Sequence, residues 1–467
     1  MSDSAARARA HVGGRDATDA NRALLDMLAG WLPRQRWFPG RGAALSELSI
    51  ISDISLQTGY PALRHLIVAT PLRGGLARFQ VPVGLRPELP PSLANALIGY
   101  HDGVAYYDAL HDPELAGVLL RSIGEERLAG QIRFVREPAA PALPAGGEGA
   151  RLLGVEQSNT SLVFGAHAIL KMLRRLFPGA NPDLEVADAL ARLSSARVAA
   201  PFGWIETDLD GEPVLLGVLS QFLAGASDGW TLALSSLASA RPFADEARLL
   251  GEATAELHAD LARAFGSRGM TRADLAGLAD GMHAKLSDAI ELVPDLRRHE
   301  ARIRAAYDAV AELAGPVTVQ RIHGDYHLGQ VLRAQHGWVA LDFEGEPAVP
   351  LAVRRGAAPA LRDVAGMLRS FDYAARHQQV GRGDTRPEAD APPRGGAGPG
   401  ADAAVAWVRQ CQDAFCAGYA AGGGADPADH GRLLRALTLE KAVYEVVYEY
   451  RHRPAWLSIP LDFVAAA

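Results

Sequence analysis

Asp325, Gln330 and Asp342 are the residues whose type and spacing say most about chemistry. They lie in the stretch Arg321-Ile322-His323-Gly324-Asp325-Tyr326-His327-Leu328-Gly329-Gln330, followed by Leu341-Asp342-Phe343-Glu344. One carboxylate falls in a tight loop after an apolar strand. An amide follows five residues on, and a second carboxylate seventeen residues on, at the end of the apolar run Trp338 to Leu341. That order suits phosphoryl transfer from a magnesium nucleotide. The first Asp accepts or orients the acceptor hydroxyl's proton; the amide and the second Asp hold Mg2+ on the phosphates. Mg2+ takes oxygen ligands, usually only one or two of them carboxylates, with substrate phosphates among the rest. A His-Gly-Asp by itself is common, and an Asp in a turn is often only a cap. The assignment rests on the combination.

Such a site needs an upstream lobe that holds ATP, and the chain offers one. Leu152-Leu153-Gly154-Val155 reads as a strand, and Glu156-Gln157-Ser158-Asn159-Thr160-Ser161 as a small polar loop. Leu162 to Phe164 is a second strand, and Ala168-Ile169-Leu170-Lys171-Met172 a third. The loop lacks a Gly-x-Gly-x-x-Gly. Gln157, Ser158, Asn159, Thr160 and Ser161 still let backbone N–H groups approach a phosphate closely. Lys171 on an apolar strand needs an anionic partner. Glu185, in Asn181-Pro182-Asp183-Leu184-Glu185 at the start of a helix, is the candidate for that ion pair. The plainer reading is that Asp183 and Glu185 favour the helix N-terminus. The apolar run Val214 to Leu223 leads to a polar break, where an adenine would bond backbone near Gln221, Phe222 and Leu223. Asp228-Gly229-Trp230 opens the next helix, with Asp228 as an N-cap or a substrate contact.

These segments resemble the actinobacterial maltokinase family, within the larger group similar to aminoglycoside phosphotransferases and eukaryotic-type kinases. The resemblance includes Trp31 to Pro39, the Gln157 to Ser161 loop, Asn181 to Glu185, Asp228 to Trp230 and His323 to Leu332. It continues through Leu341 to Pro347, Arg362 to Tyr373, Lys441 to Glu445 and Arg453-Pro454. Actinobacterial glucosamine kinases are similar over the same regions. The resemblance implies an α+β, bilobal protein-kinase-like fold: a β-rich N-lobe with an extra N-terminal cap, and a mostly helical C-lobe. It implies Asp325 as catalytic base, Gln330 and Asp342 as Mg2+ ligands and Lys171 on the ATP phosphates. His327, Glu344, Asp228, Lys441, Tyr444, Glu445 and Tyr448 would face the sugar. The chain departs from the family in having Gln330 where most kinase-like loops have Asn. It also has Ala352-Val353 before the pair Arg354-Arg355, where the family carries an acidic residue.

The segment from Lys441 onward supports a sugar surface on its own chemistry. Tyr444 and Tyr448 are four apart, as are Glu445 and Glu449, so each pair shares a helix face. Aromatic rings stack on sugars and carboxylates accept their hydroxyls. The competing reading is a Tyr stripe in the core and a solvated Glu stripe. Carboxylates would equally suit an ammonium, so this helix leaves maltose and glucosamine open.

Composition bounds the rest. The 467 residues are 48% hydrophobic with net charge −7, enough for about three domains. No basic patch of the kind that marks nucleic-acid binding is present. Two cysteines, Cys411 and Cys416, five apart in one helical segment, argue against a structural disulfide or a zinc site. No apolar run reaches the roughly 18 residues of a membrane span. The N-terminus lacks the apolar region of a signal peptide, so a cytoplasmic monomer without membrane or nucleic-acid partners is expected.

The organisation expected is a flexible tail over 1–22, a cap over 23–90, an ATP-binding lobe over 91–224 and a helical lobe over 225–467. Amphipathic runs at Ala244 to Phe265 and Arg297 to Leu313 mark the last. Glu256 and His258 within the first run read as surface or interlobe polar residues. The Pro/Gly-rich segment 378–400 reads as a disordered insert. The activity expected is an ATP- and Mg2+-dependent sugar kinase, with maltose to maltose 1-phosphate as the leading reading and glucosamine 6-phosphorylation as the alternative. An aminoglycoside-type phosphotransferase and a pseudokinase binding module rank behind them.

Overall fold

A computed structural model describes residues 19–39, 45, 47–72, 75–143, 150–154, 159–346, 349, 351–380 and 400–467. The tail to residue 18, Gln157 and Ser158, the loop residues 144–149 and the insert residues 381–399 lie outside the described residues. The chain forms two compact units, one of residues 1–181 and 200–224, the other of 182–199 and 225–467.

The first unit is built on two antiparallel sheets. In one, Ala62–Leu72 and Gly75–Arg86 pair along their whole length from Ala62 opposite Leu85 to Leu72 opposite Gly75. Their inward side chains, including Leu66, Val68, Phe79 and Val81, are fully buried. A helix over 19–31 lays Leu24, Leu28 and Trp31 on that face, the spacing of one apolar helical stripe. The second sheet has seven strands. Its centre runs Pro201–Leu209, Glu212–Gln221, Ala168–Met172, Thr160–Phe164. The helix Pro113–Gly124, capped by Asp112 with Pro at its first turn, contributes Leu115, Leu119 and Ile123 to a core shared with strands of both sheets. Each such side chain stabilises the fold by about 1.5–3 kcal/mol on burial. Arg175–Leu176 continues from the Lys171 strand and pairs with the Gly75–Arg86 strand, joining the two sheets.

The second unit is mostly helical, as expected. Ala244–Phe265 and Ala401–Ala421 pack so closely that Gly251 and Gly418 face partner backbone. A Cβ on either would come 2.1 Å from the Phe415 oxygen or 2.0 Å from the Arg248 oxygen. Leu361–Val380 and Gly431–His452 complete the core around Phe371, Phe415 and Val446. A three-stranded sheet of Ser227–Asp228, Val331–Ala334 and Gly337–Ala340 carries the residues flanking Gln330 and Asp342. The helix Pro182–Arg192, expected within the nucleotide lobe, packs instead with this unit. Its Val186 and Leu190 are fully buried in the helical core. No described helix is long and apolar enough to cross a membrane.

Candidate active site

Asp325 lies in the loop between the strand Thr318–Gln320 and the short 3-10 turn Leu328–Gln330. Backbone and side chains of that loop are fixed from three directions. The His323 ring accepts the Asp325 N–H on Nδ1 at 3.3 Å, and its Nε2 donates to the Leu341 carbonyl at 2.8 Å. The Leu341 N–H in turn donates to the Gln330 carbonyl at 2.9 Å. Asp363, 1% exposed, accepts the N–H groups of His323 at 2.8 Å and Gly324 at 2.9 Å, and the ring of His258 at 2.9 Å. His258 is itself buried and also bonds the Tyr419 hydroxyl. The expectation that His258 is a surface or interlobe residue is therefore corrected: burial beside an aspartate gives it two partners. Glu256 is the exposed member, paired with Arg197 at 2.8 Å.

The Asp325 carboxylate meets the Lys441 ammonium at 3.0 Å, and Lys441 reaches Glu346 at 2.7 Å. His327 Nε2 stands 4.0 Å from the other Asp325 oxygen, while its Nδ1 accepts the Gly329 N–H at 3.0 Å. Burial by itself would raise the Asp325 pKa, but Lys441 and His327 outweigh it and hold it down at about 2. Burial lowers the His327 pKa, so its ring is neutral at pH 7. Lys441 is pushed well above the usual lysine value: burial opposes its charge, but Asp325 and Glu346 prevail.

Asp342 follows the strand Gly337–Ala340 with φ +63°, a left-handed conformation that costs a non-glycine residue energy and re-aims its side chain. Gln330 Nε2 donates to Asp342 Oδ2 at 3.3 Å, which leaves its amide oxygen as the atom for a cation. One oxygen each from Asp183, Asp342 and Glu344 lie within 4.8 Å of one another. Asp183 also accepts the Phe343 N–H at 2.8 Å. Carboxylate oxygens are the hard donors that suit Mg2+, which takes one or two of these three directly and leaves its other positions to phosphate and water. Glu344, read as sugar-facing, thus stands in the acidic group.

Glu185 is held by Arg321 at 2.8 Å and Arg355 at 2.7 Å. The Arg355 hydrogen bond is the largest influence lowering its pKa. Lys171 belongs to the other unit, on a strand in register with Ser161 and Val218. Thr160 and Ser161, expected in the polar loop, begin the adjoining strand, and Asn159 precedes it. The Gln221 N–H donates to the Ala200 carbonyl and the Phe222 N–H to the His167 carbonyl, both at 2.8 Å. Of Gln221, Phe222 and Leu223, expected near the adenine, Leu223 is the one whose N–H is not committed to these bonds. Asp228 caps the helix Gly229–Ala238 by accepting the Thr231 N–H at 2.8 Å.

On the Gly431–His452 helix, Tyr444 and Tyr448 stack with centroids 6.3 Å apart, and Lys441 lies 4.7 Å from the Tyr444 ring centroid. Tyr448 is 40% exposed, whereas Glu449 is 1% exposed, taken by Tyr373 and Arg453. Glu445 accepts the buried Arg369 guanidinium at 2.7 Å. The reading of a solvated Glu stripe is thus corrected, because both carboxylates find buried cations or hydroxyls, while of the two tyrosines Tyr444 is half-buried and Tyr448 exposed.

Residues 31–112 match the Maltokinase N-terminal cap domain. The glucosamine kinase of Streptacidiphilus jiangxiensis is 34% identical over 345 residues, 70% of this chain and 75% of that one. The chain belongs to the maltokinase/glucosamine kinase-related family. A second member, the glucosamine kinase of Mycolicibacterium smegmatis, is 29% identical over 335 residues, 67% of this chain and 78% of that one. A glucosamine kinase solved in complex with glucosamine, ADP and inorganic phosphate superposes with TM-score 0.63 at 25% identity, covering 95% of this chain and 98% of that one. The kinase-like α+β fold and the class of ATP-dependent carbohydrate kinase follow for this maltokinase/glucosamine kinase-related chain.

Asp183, Glu346, Asp363 and His258 are the members of this constellation that sequence reasoning left out. Asp183 was visible only as a helix-start residue, and Asp363 only as part of the Arg362 to Tyr373 motif. Glu346 was visible only as part of the Leu341 to Pro347 segment and His258 only as a polar residue of the Ala244 to Phe265 run, since their partners Lys441 and Asp363 are distant in the chain.

Proposed function

We propose that the protein transfers the γ-phosphoryl group of ATP to glucosamine, most simply at the 6-hydroxyl. The observation that carries this reading is the convergence of Asp325 and Glu346 on the single ammonium of Lys441. Two carboxylates against one fixed cation leave a net negative charge beside the acceptor position. That charge favours an acceptor with its own ammonium over a neutral sugar. The two relatives named glucosamine kinase support the same choice. A maltose acceptor is the second reading, favoured by the match of residues 31–112 to a domain named for maltokinase.

In this reading Asp325 accepts a hydrogen bond from the acceptor hydroxyl and aims its oxygen. A carboxylate held at a pKa of about 2 orients the proton rather than removing it early, which suits the loose transition state of phosphoryl transfer. The acceptor oxygen–phosphorus bond forms as the bond to the β-phosphate oxygen breaks; ADP leaves, and the hydroxyl proton passes to solvent. Asp342, the Gln330 amide oxygen, Asp183 and Glu344 are the residues that would hold Mg2+, whose charge neutralises the phosphates when bound. Lys171 and the Asn159 to Ser161 backbone would take the phosphates, and Leu223 N–H the adenine. His327, Tyr444 and Tyr448 would line the sugar.

ADP release from MgATP with glucosamine, maltose, glucose and an aminoglycoside, with Asp325→Asn as control, tests the proposal. Turnover on glucosamine with maltose silent is expected. Turnover on maltose alone would replace the acceptor and leave the chemistry.

A further inference from the structure

The Arg174 guanidinium is one of the largest fully buried side chains in the protein, 1% exposed. It comes three residues after Lys171, where the Ala168–Met172 strand leaves its own sheet to pair with the other. Nη2 pairs with Asp108, which is 2% exposed and whose second oxygen accepts the Leu110 N–H at 3.2 Å. Nε donates to Thr160 Oγ1 at 2.8 Å. The guanidinium carbon lies 4.9 Å from the centroid of the Trp37 ring. The Arg174 carbonyl accepts the Gln80 N–H at 3.0 Å, and the Gln80 amide donates to the Leu173 carbonyl at 2.6 Å.

Trp37, Gln80 and Asp108 all fall in residues 31–112, the stretch matching the cap domain, which runs past the boundary at residue 90 expected from the sequence. Thr160 and Lys171 belong to the hairpin that the proposed function assigns to ATP. One buried cation therefore ties cap side chains to a hydroxyl of the nucleotide hairpin. Stability alone is a poor reason for it. A buried ion pair often stabilises no more than apolar residues of the same volume would. Moreover, Arg174 Nη1 is buried without a hydrogen-bond partner among the described residues, which carries a cost. What a planar fork gives in return is direction: it fixes two partners at once, as a lysine does not.

We propose that Arg174 is a positioning residue through which the cap sets the Thr160 end of the nucleotide hairpin, and thereby nucleotide affinity. The proposal rests on the reading of that hairpin as nucleotide-facing. It assigns the cap a part in phosphoryl transfer without contact with the acceptor.

The test uses the full chain and the fluorescent nucleotide mant-ADP with Mg2+. Arg174→Lys keeps a cation for Asp108 but loses the second arm to Thr160. Thr160→Val removes the acceptor, and Thr160→Ser restores it. Arg174→Lys and Thr160→Val are each expected to weaken mant-ADP binding by about ten-fold, and the double variant by no more than either single one. Thr160→Ser should return the affinity to within about two-fold of wild type. A residue that only holds the fold together would lower the melting temperature and leave the affinity of the folded protein unmoved. Unchanged affinity in Arg174→Lys, or losses that multiply in the double variant, would overturn the proposal. Should Arg174→Lys not fold, Asp108→Asn carries the same prediction, since it removes the charge in the cap that fixes the Arg174 guanidinium. Phosphoryl transfer to glucosamine on the same samples reports separately. Its absence in a wild-type protein whose mant-ADP binding responds as stated sinks the function and spares the positioning.

Discussion

Lys441 and Asp325, 116 residues apart in the chain, meet at 3.0 Å. The lysine projects from a long helix of the second unit, and the aspartate from a loop held by backbone hydrogen bonds to Asp363. Their contact determines the ionisation of the residue proposed to orient the acceptor. It also fixes where that hydroxyl can approach, because one Asp325 oxygen is already occupied.

Replacing Asp325 by Asn keeps the shape of the loop and removes the charge. We expect kcat to fall by about 10²–10⁴-fold while mant-ADP binding persists. Steady-state turnover beside a nucleotide titration checks this, and wild-type turnover in the variant would remove Asp325 from the mechanism.

The depressed Asp325 pKa has a definite pH consequence. A carboxylate whose folded pKa is lowered stabilises the protein above its unfolded value of about 4, and that contribution is lost as pH falls toward 2. In the wild type, therefore, Asp325 imposes no acid limb on kcat above about pH 4. In Lys441→Met the burial of Asp325 is opposed only by weaker partners, so its pKa rises and an acid limb should emerge between about pH 4 and 6. A pH–rate profile compares the two; coincident profiles would mean that Lys441 does not govern this group.

The acidic group should be read out by magnesium. Asp183→Asn and Glu344→Gln are each expected to raise the half-saturating Mg2+ concentration by about ten-fold, and Asp342→Asn by more. Excess chelator should stop turnover and added Mg2+ restore it. If Asp183→Asn titrates like wild type, its contact with the Phe343 N–H is its whole role.

Asp363 has a structural debt that can be measured. Asp363→Ala leaves the His323 and Gly324 N–H groups and the His258 ring without their shared acceptor. Removing one partner of such a buried set costs about 3–5 kcal/mol. Chemical denaturation should show that loss, with a change in midpoint and little change in slope. A loss below about 1 kcal/mol would show that the loop finds other acceptors.

Local signals carried much of the molecule. The strand Ala168–Met172 and the helix Ala244–Phe265 were legible from their apolar periodicities alone, and the structure has them with those bounds. Hairpin and loop segments around Asp325 and Asp342 were legible because each spans few residues. The Pro182–Arg192 helix was misallocated to the nucleotide lobe because sequence order suggests continuity. Its place is decided by which core receives Val186 and Leu190.

By itself, then, the sequence determined that an aspartate, an amide and a second aspartate occur in phosphotransfer order, downstream of a strand bearing Lys171. It did so because residue type and short-range spacing are properties of the chain. Only the tertiary structure decided that Asp325 and Glu346 bracket Lys441, that Asp183 joins Asp342 and Glu344, and that Glu445 and Glu449 face buried cations and hydroxyls instead of water. Charge on a buried group depends on which distant partner packing delivers to within about 4 Å, and no local pattern encodes that.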